Sequence, residues 1–130
     1  MVGSAQKDKA SKATISNLQY LLETSQNGER LALLDSLCGL IQNSIPFGYE
    51  KTVNETIELA HELNDTALYI KHKSNLVFYL TNRANKPAEG LETFLTVSEK
   101  DIRDIDPGVL ASFYANGGDS YLFSGEIELS

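Results

Sequence analysis

Two histidines, His61 and His72, are the side chains of this 130-residue sequence best suited by type to proton transfer or metal binding. Glu58 and His61 form one Glu-x-x-His step, a spacing that places a carboxylate and an imidazole on one helix face. A carboxylate-bridged metal pair needs that step twice, from facing helices, with further inward carboxylates. No second step is present, so an exposed or partly buried histidine is expected and no metal site is expected. Cys38 is the single cysteine, which excludes an intrachain disulfide and a cysteine-based zinc cluster. Within an apolar helical pattern it reads as a small core residue. Asp101, Asp104 and Asp106 lack the glycine and terminal glutamate of a calcium loop, so a solvated helix end is expected there. Gly117-Gly118-Asp119 falls inside a helical stripe, where a hairpin-borne catalytic signature has no place. No phosphate-cradling glycine loop or nucleophile elbow occurs, and no nucleophile can be joined to a base and an orienting group. The chain is expected to be no enzyme and to bind no cofactor.

Composition narrows the partners. The 18 acidic and 11 basic residues leave a net charge of −7, which disfavours nucleic acid and anionic membrane. No apolar run approaches the length of a membrane span, so direct membrane insertion is not expected. An apolar content of 42% fits a folded chain, and the length fits one domain. Residues 1–12 are small, polar and basic and read as a disordered tail or a cloning scar, with the folded domain over 13–130. Ala5-Gln6-Lys7 also reads as the start of a mature chain after signal cleavage, which favours the periplasm over the cytoplasm.

The elements that must position any site are helices. Three-four apolar spacing predicts them at about 14–25, 29–43, 49–64, 67–83, 87–103 and 108–123. Leu34, Leu37, Cys38 and Ile41 form the packing stripe of the second helix, and Ser44-Ile45-Pro46 ends that helix. Val53, Ile57 and Ala60 recur on the third, and Lys73, Leu76, Val77 and Leu80 on the fourth. Pro87 suits a first helical position, and Gly90, Phe94 and Val97 follow as the stripe of the fifth. In the last stretch, Tyr114, Gly118 and Tyr121 share one stripe, with the small residue between two rings. A glycine in mid-helix costs about 1 kcal/mol relative to alanine, so Gly118 marks an expected close approach of another helix. Gly125 is expected to stop the helix and Glu126 to open a new segment.

That last stretch resembles the first helix and turn of a tetratricopeptide repeat. Cys38, Val77 and Gly118 then mark the central small position of three successive first helices, 39 and 41 residues apart. The family's usual period is about 34 residues, so longer turns or helices are expected here. The resemblance implies an all-α fold of antiparallel helical hairpins, stacked as a right-handed solenoid and cut inside the third repeat. It also implies that first helices line a concave binding face. By position that face comprises Asp35, Gln42 and Asn43, then Lys71, Ser74, Phe78 and Asn82, then Ser112, Asp119 and Phe123. The implied function is non-catalytic: a protein-interaction or sensory scaffold module of a larger bacterial signalling protein, with a protein or peptide as partner. The other reading is a stand-alone cytoplasmic adaptor or a dimerisation domain. Rings left uncovered on the last helix make that helix the expected contact of a homodimer.

Overall fold

A computed structural model describes residues 4–42 and 48–129, with side chains over 12–42 and 48–125. Among the described residues the chain is all-α, with seven α-helices and no strand. They are α1 (Ser4–Leu22), α2 (Asn27–Ile41), α3 (Tyr49–Glu62), α4 (Thr66–Phe78), α5 (Pro87–Leu95), α6 (Glu99–Ile102) and α7 (Pro107–Leu129). α4 runs on through a π-turn over Tyr79–Arg83, in which the Ala84 N–H reaches the Tyr79 carbonyl five residues back. The chain divides into two compact units, Met1–Leu59 and Ala60–Ser130, and the boundary falls inside α3.

Side chains set most of the boundaries. Asp65 caps α4 by accepting from the Leu68 N–H at 3.1 Å, and Pro87 opens α5, where a missing N–H costs nothing. Ser98 and Asp101 make a reciprocal capping box around α6. Asp106 accepts from the N–H groups of Gly108 and Val109 at the start of α7. Asn64 and Asn85 take positive φ just past α3 and the π-turn. Asparagine tolerates this left-handed region better than most residues, and it ends a helix there.

In the first unit, Leu31, Leu34, Leu37, Cys38 and Ile41 of α2 are buried, as are Tyr49, Val53, Thr56 and Ile57 of α3. Cys38 Sγ lies 3.3 Å from Thr56 Oγ1, so the lone cysteine is a core residue with a polar neighbour. Arg30 ties three helices together. Its Nη1 donates to the Leu22 carbonyl at the end of α1 at 2.8 Å, and its Nη2 meets Glu55 Oε2 on α3 at 3.0 Å. α1 begins at Ser4, well ahead of the start near residue 14 that its apolar spacing predicts. Asn43 and the Ser44-Ile45-Pro46 break lie outside the described residues.

The second unit is built on α4, α5 and α7, and four contacts fix their directions. Lys73 meets Thr96 while Gly90 lies against Thr81 and the Val77 carbonyl, so α5 runs antiparallel to α4. Ser74 meets Asn116 and Thr81 meets Ser120, so α7 runs parallel to α4. Phe94 and Phe113 have ring centroids 4.7 Å apart, joining α5 to α7. Leu76, Val77 and Leu80 are buried as their spacing predicts.

Four expectations for this unit are corrected. The packed stripe of α7 is Phe113, Gly117, Ser120 and Ser124, one residue out of phase with the expected Tyr114, Gly118 and Tyr121. Tyr114 and Tyr121 are exposed, and so is Gly118. The close approach belongs to Gly117, where an added Cβ would overlap the Phe94 ring; at Gly118 it would meet open space. Gly125 does not stop the helix, which continues to Leu129, because glycine permits a left-handed cap without requiring one. The helix expected over 87–103 is two helices, since Thr96 and Val97 bond back to Thr93 and Phe94 and Ser98 starts α6 afresh. Residues 96–106 thus add length between Val77 and Gly118 beyond a plain hairpin connection.

Candidate functional site

The parallel pair α4 and α7 forms a seam whose floor is polar. Ser74 is buried on α4, and Asn116 Nδ2 donates both to its carbonyl at 3.1 Å and to its Oγ at 2.9 Å. Lys71 and Phe78 stand three and four residues either side of Ser74, hence on the same side of α4. Ser112 and Asp119 stand four and three residues either side of Asn116 on α7. Asn82 and Phe123 extend the two rows by one further turn. All six of these flanking residues are exposed. The exposed residues flanking the Ser74–Asn116 contact are thus a lysine, an amide and a ring on the α4 side, and a hydroxyl, a carboxylate and a ring on α7.

Further down, the seam is closed by a buried hydroxyl pair. Thr81 Oγ1 and Ser120 Oγ are 2.6 Å apart, and Ser120 also donates to the Asn116 carbonyl at 3.1 Å. Gly90 of α5 sits on this pair, where an added Cβ would lie 2.5 Å from Thr81 Oγ1 and 2.9 Å from Ser120 Oγ. On the exposed side of the same helix, the Phe78 carbonyl accepts from Asn82 Nδ2 at 3.2 Å.

Of the ten residues expected on a concave face, Lys71, Phe78 and Asn82 are exposed on α4 and its π-turn, Ser112, Asp119 and Phe123 are exposed on α7, and Ser74 is buried against Asn116. Asp35 and Gln42 belong to the first unit and are half-buried, while Asn43 lies outside the described residues. Glu58 and His61 are both exposed. Among the described residues no group of three or more potential ligands is placed to hold a metal ion. Likewise no helix among them is long and apolar enough to cross a membrane.

A second cluster lies at the other end of α4, and the sequence reading passed over it. A cleft of about 600 Å³ is lined by His61, Asn64, Tyr69, Thr96, Ser98 and Asp101, among others. Lys73 reaches up beside it, with Nζ 2.8 Å from Thr96 Oγ1 and 5.6 Å from the centroid of the Tyr69 ring. Burial pushes the Lys73 ammonium below its ordinary range, and the nearby Asp101 carboxylate partly offsets that. Burial, helped by Asp101, raises the Tyr69 phenol. The His61 and Tyr69 rings are tilted against each other at 5.1 Å. The signal available in sequence was the Tyr69–Lys73 step of four and the Ser98-x-x-Asp101 capping pattern. Nothing in either motif announces that a separate one-turn helix will fold back over α4.

Comparison with protein-family models, with curated proteins and with solved structures yields no match to this chain.

Proposed function

We propose that this chain is a non-catalytic interaction module of the tetratricopeptide type, which binds an extended peptide or a partner's flexible segment along the α4–α7 seam. The supporting observation is the Ser74–Asn116 hydrogen bond. It joins two parallel helices, and in this reading Lys71, Phe78 and Asn82 on one side and Ser112, Asp119 and Phe123 on the other, all exposed, are the residues that contact the segment. The antiparallel α4–α5 hairpin followed by a third helix parallel to α4 is the order in which such repeats stack. A groove with a ring and a charge on each wall suits a segment with an apolar anchor and polar flanks. In this reading the module serves as the sensory or scaffolding part of a larger bacterial signalling protein.

The reading is tested by selecting from a displayed library of random linear peptides on the immobilised chain. Enrichment of peptides with an aromatic or large aliphatic anchor is expected, with binding lowered about tenfold or more by Phe78→Ala. Tyr20→Ala, at an exposed ring on α1, should leave it unchanged. Failure to enrich any peptide, or binding insensitive to Phe78 and Asp119, overturns the reading.

A further inference from the structure

On the side of α7 turned away from the seam, Tyr114, Gly118, Tyr121 and Gly125 follow one another at separations of four, three and four. They form one stripe on the helix surface. Tyr114 is 49% exposed and Tyr121 71% exposed, and a Cβ added at either Gly118 or Gly125 would touch nothing within 4 Å. Large and small residues thus alternate, ring, gap, ring, gap, along an open helix face. Leu122, 55% exposed, lies beside the stripe together with the exposed Ala111 and Ala115.

This alternation has a property that a random apolar face lacks. Read backwards it becomes gap, ring, gap, ring. Two copies of α7 laid antiparallel about a two-fold axis between Gly118 and Tyr121 therefore set every tyrosine against a glycine of the other copy. Tyr114 meets the second copy's residue 125, and Gly118 meets its residue 121, with the reciprocal contacts generated by symmetry. An isologous interface requires this self-complementarity, in which residue i contacts j and j contacts i. The glycines let the helix axes come close enough for the opposing rings to be covered.

Charge points the same way. The four stripe residues and their neighbours Ala111, Ala115 and Leu122 are uncharged, and Asp119 lies on the seam side of the helix. Two copies can meet on this face without the mutual repulsion that a net charge of −7 imposes across the rest of the surface.

We propose that the Tyr114–Gly118–Tyr121–Gly125 face of α7 docks a second copy of this chain as an antiparallel, two-fold helix pair. The proposal stands apart from the peptide groove, which uses other residues on another side of α7, so either one stands or fails alone.

Sedimentation equilibrium over a concentration series tests it first, with a species of twice the 14.3 kDa chain mass expected. Gly118→Leu, which fills open space in the single chain, should raise the dimer dissociation constant about tenfold or more while leaving the helical circular-dichroism signal intact. The register is read separately with cysteine variants. Chains carrying Gly118→Cys mixed with chains carrying Tyr121→Cys should form a mixed disulfide, whereas Ser112→Cys in place of Tyr121→Cys should not. A chain that stays monomeric throughout the series overturns the proposal. So does a dimer indifferent to Gly118→Leu, or one whose cysteine pairs cross-link outside the stated register.

Discussion

Phe94 and Gly117 occupy each other's space: the phenyl ring of α5 fills the volume that a Cβ at position 117 of α7 would need. The ring is held there by Phe113, at 4.7 Å between centroids, and by the edge of Tyr114 at 6.1 Å. Gly117→Ala must therefore displace an aromatic ring locked on two sides, and overpacking of this kind costs about 1–3 kcal/mol. Gly118→Ala meets nothing and gains helix propensity, so it should stabilise the single chain by about 0.5–1 kcal/mol. Urea unfolding of the two variants, at dilutions where the chain is monomeric, should move the midpoint in opposite directions.

Ser120→Ala would leave the Thr81 hydroxyl buried without its 2.6 Å partner. The expected loss is about 1–3 kcal/mol, the cost of stranding a buried polar group. Replacing both residues, Thr81→Val with Ser120→Ala, removes the stranded group as well as the bond. The double variant should accordingly be less destabilised than the sum of the two single variants. Strict additivity in the urea series would show that the two hydroxyls are not coupled.

Lys73 gives the second unit a pH dependence of defined sign. Its folded pKa lies below the ordinary lysine value of 10.5, so just below that value the unfolded chain holds more protons than the folded one. Stability should then rise with pH through that window, relative to a Lys73→Met variant in which the term is absent. Tyr69 has the opposite sign. Its folded pKa is raised above 10.0, so its contribution is present below that value and lost as pH climbs through the raised pKa. Unfolding free energies of both chains between neutral pH and pH ~10.5 check the lysine branch; a difference that falls with pH there would refute it.

Arg30 should matter more than the ion pair it makes. The Arg30–Glu55 pair is partly exposed, and such pairs contribute about 0–1 kcal/mol, so Glu55→Gln should be nearly silent. Arg30→Met also removes the charged donor from the Leu22 carbonyl at the end of α1, a type of bond worth about 1.5–3 kcal/mol. Thermal unfolding should separate the two variants clearly, with Arg30→Met the weaker chain.

The helical class and the stripes of α2 to α4 were legible because Leu34, Leu37, Cys38 and Ile41, and again Lys73, Leu76, Val77 and Leu80, keep to three-four spacing, with every apolar member buried and Lys73 half-buried at the end of its stripe. α7 misled because two glycines stand side by side. Spacing alone makes Tyr114, Gly118 and Tyr121 as good a stripe as Phe113, Gly117 and Ser120, and a tyrosine ring has far more surface to bury than a serine. The decision lay with Phe94, a residue on another helix, which needs room at 117 and none at 118. That Lys71, Phe78, Asn82, Ser112, Asp119 and Phe123 are exposed was legible from the same counting, since each falls between the apolar positions of its helix. The Lys73 cluster was not, because it depends on α6 folding back, and a four-residue helix held by one capping box has too short a pattern to read.

The π-turn at Tyr79–Arg83 has a bearing on how this hairpin tolerates changes in length. A widened turn holds one residue more than an α-helical turn without opening a loop, and here it is the last turn of the helix that α4 begins. Leu80 and Thr81 are both buried within it, so the extra residue is what lets a hydroxyl arrive opposite Ser120. A chain shortened by one residue at this turn can end in a plain α-helical turn, and the side chains of that last turn are then re-aimed by up to about 100° around the axis. Such a deletion puts the Thr81–Ser120 bond at stake while the helix before Tyr79 keeps its faces.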